Sequence, residues 1–399
     1  WSGCWTEPSH ASARAGRRPG RATPPTAPAA FLADVEPGTT AEDAIARLRL
    51  IRTGGIGPVT CAQLLARFGS AAAALAAVPD LARRGGGKPP VIPSRADAER
   101  ELAAVARLGA RHLFRGGPFY PALLAEIDTA PPALIVAGRL DLLDRPAIAM
   151  VGARNASAAA VRFARMLAHG LADAGVAVVS GLARGIDTAA HVGSIEGGTI
   201  GVVAGGADIF YPPENEALQR KIATEGLLVA EQPPGTEPRA RHFPYRNRII
   251  AGLSLGTVVI EAAPKSGSLI SARFANDFGR EVMAVPGSPL DPRAQGCNQL
   301  IRDGATLVQS AADVLESLGP FAARPVAETP TAYEAPASAD ATERDRRAVC
   351  DLLGPTAVPV DEIVRQAMLA PAIVQTVLLE LELGGRLERH AGGRVSLMG

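Results

Sequence analysis

The chain has 399 residues, of which 47% are hydrophobic, enough for two or three domains with buried cores. Its formal net charge of +1 excludes a uniformly cationic, histone-like surface but is compatible with a local basic patch. No apolar run approaches the ~20 residues of a membrane span, and the four cysteines form no CxxC pair, so we expect a cytoplasmic protein without a membrane partner, a disulfide framework, a metal or another cofactor.

The N-terminal part of the chain divides into two segments of different composition. Residues 1–38 are rich in Pro, Ala and Arg without apolar periodicity, which predicts a disordered extension that lacks the apolar core of a secretory signal. Residues 41–110 are predicted to form a small helical domain, with a glycine-rich turn at Gly54–Pro58. Such a turn can present backbone N–H groups to a phosphate, but a tight helix–helix connection is the favoured interpretation.

Short apolar strands alternate with helices through the middle of the chain, after a proline-containing segment at 111–146. The predicted strands are Ala147–Val151, Val176–Ser180, Thr199–Val203, Leu227–Ala230, Thr257–Glu261 and Glu281–Val285. This alternation predicts βαβ units, and the continuous apolar runs indicate strands that are covered on both faces. We therefore predict an α/β domain with a mainly parallel sheet over residues 111–319.

The C-terminal part of the chain is predicted to contain a linker and a second small domain. Residues 320–341 form a Pro/Ala/Glu/Thr linker, and residues 342–399 have the outline of a winged helix: three helices and two short strands. The candidate recognition helix, Pro371–Leu383, carries Glu380 and Glu382 and no basic residue, whereas major-groove docking normally requires basic residues. We interpret this domain as a protein-contact module. DNA binding by the wing is the alternative, through Arg386, Arg389 and Arg394.

Glycine, cationic and hydroxyl residues follow the ends of several predicted strands. Ligands of open α/β sheets bind beyond the carboxyl ends of the strands, where glycines permit close backbone approach and helix N-termini offer free N–H groups. Several such loops on one rim suit a chain of phosphates better than a single nucleotide. The candidate phosphate-binding residues are Gly152, Arg154, Ser180, Gly181, Arg184, Gly185, Arg246, Asn247, Arg248, Lys265, Ser266 and Gly267.

Nucleotide-binding and catalytic patterns are incomplete in this sequence. The turn after the first strand reads Gly-Ala-Arg-Asn rather than GxGxxG, and no GxxxxGK[ST] run occurs, which argues against a dinucleotide site and a P-loop. The i, i+4 pair of Asp187 and His191 is interpreted as a cap beside a structural histidine. Glu261 near Lys265 is interpreted as a cap or an ion pair, and Cys297 as a small core residue, so no catalytic residue is assigned.

A series of short motifs follows in a fixed order between residues 112 and 318. They are Val151–Arg154, Ser180–Asp187 with Ala190–His191, Tyr211–Asn215, Phe243–Ser254, Glu261–Ile270, Val285–Gly287 and Gly296–Asn298. Each motif alone is weakly specific, but the ordered series resembles the bacterial DNA processing protein A (DprA/Smf) family. The residues before Ala41 match nothing in that family.

The resemblance implies an extended Rossmann-like domain that dimerises and binds single-stranded DNA in a basic pocket without catalysing a reaction. It implies a recombination mediator that protects incoming DNA, displaces single-strand-binding protein and loads the RecA recombinase during natural transformation. The N-terminal domain would resemble a sterile alpha motif, and the C-terminal domain would be a winged helix. The implied phosphate contacts are Arg154, Arg184, Arg246, Asn247, Arg248, Lys265, Ser266 and Gly267.

Two other functions remain as alternatives. A nucleoside-monophosphate phosphoribohydrolase of the cytokinin-activating type shares the Rossmann-like topology, but such enzymes carry a PGGxGTxxE run for which Ala262–Gly267 is a poor substitute. A regulator that binds duplex DNA through the C-terminal domain is the third hypothesis, and the acidic helix of that domain argues against it.

Overall fold

The structure is a computed structural model that describes residues 38–322, 340–390 and 392–398. The predicted disordered extension, up to residue 37, and most of the predicted linker, residues 323–339, lie outside the described residues.

Four helices form the N-terminal domain. They are α1 (Ala41–Ile51), α2 (Pro58–Phe68), α3 (Ala71–Arg84) and α4 (Arg95–Arg107). The side chains of Thr40, Ser70 and Ser94 cap α1, α3 and α4 by accepting a backbone N–H from the first turn. Helices α1 and α4 share a buried cluster with Phe114 and Ala133, so this domain packs against the edge of the central sheet.

The central sheet has nine strands in the order β1-β2-β6-β5-β4-β3-β7-β8-β9. They are β1 (Arg111–Phe114), β2 (Ala133–Gly138), β3 (Ala147–Gly152), β4 (Ala177–Ser180), β5 (Thr199–Val203), β6 (Leu227–Ala230), β7 (Gly256–Ile260), β8 (Glu281–Ala284) and β9 (Thr306–Leu307). The pairs β1–β2 and β2–β6 are antiparallel and the other six pairs are parallel. The proline-containing segment, for which no strand was predicted, thus supplies the edge strand β1 and its neighbour β2.

Helices cover both faces of this sheet. They are α5 (Ala122–Ala125), α6 (Ala158–Asp173), α7 (Ile186–Ser194), α8 (Glu216–Glu225), α9 (His242–Gly252), α10 (Ser268–Asp277), α11 (Gln295–Arg302) and α12 (Ala311–Ala322). Alternate residues of β3 enter opposite cores: Ile148 and Met150 pack in the cluster of α6, whereas Ala149 and Val151 pack with Ile250 of α9. Burial on both faces explains why the strand is apolar throughout.

The C-terminal domain contains three helices and a small antiparallel sheet. The helices are α13 (Glu343–Cys350), α14 (Val360–Ala367) and α15 (Pro371–Leu383), and the strands β10 (Val358–Pro359), β11 (Leu387–His390) and β12 (Arg394–Leu397) pair in the order β10-β12-β11. The predicted fold class is therefore confirmed: a mainly parallel α/β sheet, a helical N-terminal domain and a winged-helix domain.

Among the described helices, none is by itself long and apolar enough to cross a membrane. Helices α2 and α3 reach the required length and composition only when taken together, and they bend by 108° at their junction.

Candidate functional site

A basic pocket opens beyond the carboxyl ends of β3 and β4. Its lining comes from the loops after these two strands, from the segment before α8 and from the first turns of α9. The lining residues are Arg154, Gly181, Ala183, Arg184, Tyr211, Pro212, Phe243 and Arg246. Four of them belong to the predicted phosphate-binding set: Arg154, Gly181, Arg184 and Arg246.

Arg246 forms the floor of this pocket, with only 6% of its surface exposed. Its guanidinium lies against the backbone of Gly181, where an added Cβ would stand 1.4 Å from Nη1. Glycine is therefore required there to admit the arginine. The Nε of Arg246 has no hydrogen-bond partner among the described residues, and burial lowers the pKa of the group while Asp187 opposes that shift. A buried cation with an unsatisfied donor is suited to bind an anion.

Asp187 holds the loop above this arginine. Its Oδ2 accepts the backbone N–H groups of Gly181 at 3.2 Å and Ala183 at 3.3 Å. Burial raises the pKa of Asp187, and the charge of Arg246 and the two N–H donors oppose that rise. Asp187 therefore has a structural role, but the interpretation as a helix cap is wrong: α7 begins after Gly185 without a side-chain cap, and the carboxylate instead binds the loop that precedes the helix.

His191 lies beneath the pocket and is fully buried. Its Nδ1 is 2.7 Å from the Oγ1 of Thr199, and burial lowers the pKa of the ring to about 3. The histidine is therefore neutral near pH 7 and has the structural role that the sequence indicated. Its Nε2 has no hydrogen-bond partner among the described residues.

An aromatic pair forms one side of the pocket. The rings of Tyr211 and Phe243 are 5.6 Å apart at an interplanar angle of 57°, and Tyr211 is half-exposed. The guanidinium carbon of the exposed Arg154 lies 5.5 Å from the centre of the Phe243 ring. The two aromatic residues occur in the family motifs, but they were not predicted as site residues because they belong to separate motifs that are distant in the chain.

Three further arginines belong to the pocket lining or precede α9. Arg184 is exposed and pairs with Glu214 at 2.5 Å. Arg239 and Arg241, which precede α9, are also exposed. Burial, with these two guanidinium groups nearby, lowers the pKa of His242. Arg239 and Arg241 were not predicted as site residues and are not part of the pocket lining, but they add exposed positive charge just before Phe243.

The structure gives Arg248 a different role from the predicted phosphate contact. Its side chain is buried and faces away from the pocket lining, where it donates to the carboxylate of Glu231 and the carbonyl of Thr129. The ion pair neutralises its charge inside the protein. We therefore leave Arg248 out of the proposed site and regard it as a structural residue.

Gly152, Ser180 and Gly185 also have structural partners. A Cβ at Gly152 would lie 1.9 Å from the carbonyl oxygen of Ile260, and the Ser180 hydroxyl donates to the Met150 carbonyl at 2.6 Å. Gly185 has a φ of +74° and begins α7. These three residues shape the loops rather than line the pocket.

The loop after β7 lies outside the pocket lining. Lys265 is exposed, and the Ser266 hydroxyl is 2.7 Å from the hydroxyl of Ser268. The Nδ2 of Asn247 donates to the carbonyl of Gly267 at 3.4 Å, which connects this loop to α9. Lys265, Ser266, Gly267 and Asn247 therefore form a neighbouring surface, and their contact with a ligand stays a prediction.

Glu261 and Cys297 have structural roles in agreement with the sequence interpretation. Glu261 accepts the backbone N–H of Ser157 at 2.8 Å and its hydroxyl at 2.5 Å, at the beginning of α6. Cys297 is fully buried, and burial raises the pKa of its thiol to about 11. A thiol with this pKa is protonated at pH 7 and is a poor nucleophile.

The fold and the pocket define a Rossmann-like protein with a cationic, partly aromatic pocket at the carboxyl edge of its sheet. The family model described as DNA recombination-mediator protein A matches residues 111–319, and the chain belongs to this family. Models of the DprA-like N-terminal HHH domain and the DprA winged helix domain match residues 41–104 and 333–393. The resemblance deduced from the motif series is confirmed.

Characterised relatives and a solved structure agree with this assignment. The chain is 47% identical over 198 residues to DNA processing protein DprA of Streptococcus pneumoniae, covering 49% of this chain and 70% of that protein. It is 45% identical to Protein Smf of Synechocystis over 51% of this chain and 52% of that protein, about half the length of this relative. An X-ray structure of the S. pneumoniae protein is 36% identical over 68% of this chain and 97% of its own, with a TM-score of 0.59.

Proposed function

We propose that this protein is a recombination mediator that binds single-stranded DNA in the basic pocket and catalyses no reaction itself. The observation that carries the proposal is the buried guanidinium of Arg246, which is placed against Gly181 and has a donor without a partner among the described residues. A DNA phosphate in the pocket would neutralise the charge that burial disfavours.

The aromatic pair accounts for a preference for single strands. Unpaired bases expose their faces and can stack on aromatic rings, whereas paired bases in a duplex are already stacked on each other. Tyr211 and Phe243 stand beside the arginines, so one nucleotide can place its phosphate near Arg246 or Arg154 and its base near the rings. These contacts position DNA without reading its sequence.

The wider role of the protein follows from its family membership. We propose that it protects incoming single-stranded DNA, displaces single-strand-binding protein and loads RecA in the cytoplasm during natural transformation, as a homodimer. The description of the family as a recombination mediator supports this assignment. The phosphoribohydrolase alternative has no comparable support.

Fluorescence anisotropy of a labelled oligothymidylate tests the proposal. The expected result is binding that weakens with salt by a log–log slope of about −0.7 for each phosphate contacted, and that an excess of unlabelled duplex does not abolish. Absence of binding at low salt contradicts the proposal. Release of free base from AMP would instead support the phosphoribohydrolase.

Phe243→Leu tests the stacking part of the proposal. Leucine keeps an apolar side chain but removes the ring, and loss of one base–aromatic stack costs about 1–3 kcal/mol. We expect oligothymidylate affinity to fall at least about fivefold with an unchanged salt slope, since no charge is lost. Unchanged affinity would show that Phe243 does not contact the bases.

A further inference from the structure

The third helix of the winged-helix domain packs on the N-terminal domain. Leu379 and Leu383 of α15 belong to the same buried cluster as Leu75 and Leu81 of α3, which lies near the other end of the chain. In a winged-helix protein that reads duplex DNA, the corresponding helix of the helix-turn-helix lies in the major groove. Here one side of that helix is part of a protein core.

Polar contacts surround this shared core. The Nε2 of Gln63 donates to the Oε1 of Gln375 at 3.0 Å, and Arg67 donates to the hydroxyl of Thr376 at 2.9 Å. Arg67 also pairs with Asp340, the first described residue after the gap, at 2.8 Å. The interface thus combines apolar burial with hydrogen bonds and an ion pair, as specific protein interfaces do.

The acidic residue that argued against DNA binding is paired within this assembly. Glu380 is completely buried and accepts two bonds from Arg346 of α13, at 2.7 and 2.9 Å. Arg84 of α3 lies 4.0 Å from the same carboxylate and 3.2 Å from Asp340. Glu380 is therefore a component of the interdomain contact rather than a surface charge.

Two glycines at the end of α3 allow the backbones of the two domains to touch. A Cβ at Gly85 would stand 1.9 Å from the carbonyl oxygen of Glu380, and one at Gly87 would stand 1.9 Å from that of Gly384. Gly85 has an ordinary φ of −71°, so its own backbone does not require glycine. The reason for glycine at this position is the close approach of α15.

Two wing arginines are occupied by the same contact. Arg386 donates to the carbonyl of Gly85 at 3.4 Å, and Arg389 binds Glu382 at 2.7 Å and Gln63 at 3.3 Å. These are two of the three residues through which the wing was to bind DNA in the alternative interpretation.

We propose that the winged-helix domain is a protein-docking module whose partner is the N-terminal helical domain of the same chain, and that α15 is its docking helix and not a reader of duplex DNA. The proposal concerns surfaces separate from the single-stranded DNA pocket and does not rest on the function proposed for that pocket. It extends the interpretation of this domain as a protein-contact module by naming the partner and the contact surface.

The test uses the full-length chain with a protease site inserted between residues 323 and 339. After cleavage of the wild-type sequence, the winged-helix domain is expected to remain bound to the rest of the protein in size-exclusion chromatography. Gly85→Ala places a methyl group on the carbonyl of Glu380 and is expected to weaken this association by about tenfold or more. Gly54→Ala is the matched control, since it makes the same change in the same domain, where the structure leaves open space.

Gly87→Ala should behave like Gly85→Ala, so misfolding of one variant does not decide the result. Separation of the wild-type domains after cleavage, or retention of the domain in both interface variants, overturns the proposal. A labelled duplex supplies the second readout: we expect the uncleaved Gly85→Ala and Gly87→Ala chains to bind duplex within about twofold of wild type, because the freed helix carries no basic residue. A tenfold gain in duplex affinity would show that the interdomain contact masks a DNA-binding surface of the winged-helix domain, on α15 or on the wing with Arg386 and Arg389, and would refute the proposal.

Discussion

Replacing Arg154 by Gln isolates one phosphate contact of the proposed DNA site. The side chain is exposed and is held 5.5 Å from the centre of the Phe243 ring, and it makes no ion pair with a described residue. Its guanidinium is therefore accessible to a ligand, and its loss should disturb the fold little. Gln retains a polar but shorter side chain and removes the charge.

The exposure of Arg154 sets the size of the expected loss of oligothymidylate affinity. A hydrogen bond to a charged group contributes about 1.5–3 kcal/mol, and an exposed contact lies at the lower end, so oligothymidylate affinity should fall about tenfold near 50 mM salt. One phosphate contact contributes about 0.7 to the log–log salt slope, which is about 2.6-fold in affinity over a fourfold change in salt. The ratio of wild-type to variant affinity should thus shrink to about fourfold near 200 mM salt.

Anisotropy titrations at the two salt concentrations measure both quantities. Arg344→Gln, in the winged-helix domain, removes the same charge from an exposed helix position outside the pocket lining and should leave affinity and slope nearly unchanged. Equal losses in the two variants would mean that only net charge matters. A loss at Arg154 that does not depend on salt would refute the phosphate contact.

Three further predictions concern Gly181 in the pocket lining and the buried residues Arg248 and His191. Gly181→Ala would place a Cβ 1.4 Å from the guanidinium of Arg246, so displacement of this group should lower oligothymidylate affinity about tenfold in anisotropy titrations. Unchanged affinity would remove Arg246 from the site. Arg248→Met leaves the partly buried Glu231 unpaired and should lower the free energy of urea unfolding by about 3 kcal/mol without altering the salt slope of DNA binding. A reduced salt slope would restore Arg248 to the site. Burial lowers the pKa of His191 from its ordinary 6.5 to about 3 in the folded protein, so the unfolded chain binds the extra proton and stability is lost as pH falls. Between pH about 6 and 4, wild-type stability should fall more steeply than that of His191→Asn by up to about 1.4 kcal/mol per pH unit, and parallel urea-midpoint profiles would contradict the assignment of a neutral buried histidine.

Much of the fold could be predicted because the central strands are covered on both faces. Ala147–Val151 is continuously apolar for that reason, and the loops that follow such strands necessarily meet at one edge of the sheet. The ordered motifs then identified the family. The antiparallel strands β1 and β2 were missed because they are short and are separated by a segment with several prolines, so they carry little periodic signal.

Tertiary structure alone decided which residues form the site. Arg246 and Arg248 are two positions apart on α9 and therefore point about 200° apart around the helix axis, one to the pocket and the other to Glu231. No local pattern states which side of α9 faces the open edge of the sheet. Tyr211 and Phe243 likewise become neighbours only through folding.

The role of α15 shows the same division. The acidic composition of this helix predicted, from the sequence alone, that it does not bind DNA. The identity of its partner depends on Gly85 and Gly87, which are far away in the chain, where the absence of side chains lets two backbones meet. The sequence alone shows that the surface of α15 is chemically unsuited to bind DNA. Long-range packing decides which surface covers α15, because close contact depends on how distant segments approach each other in three dimensions.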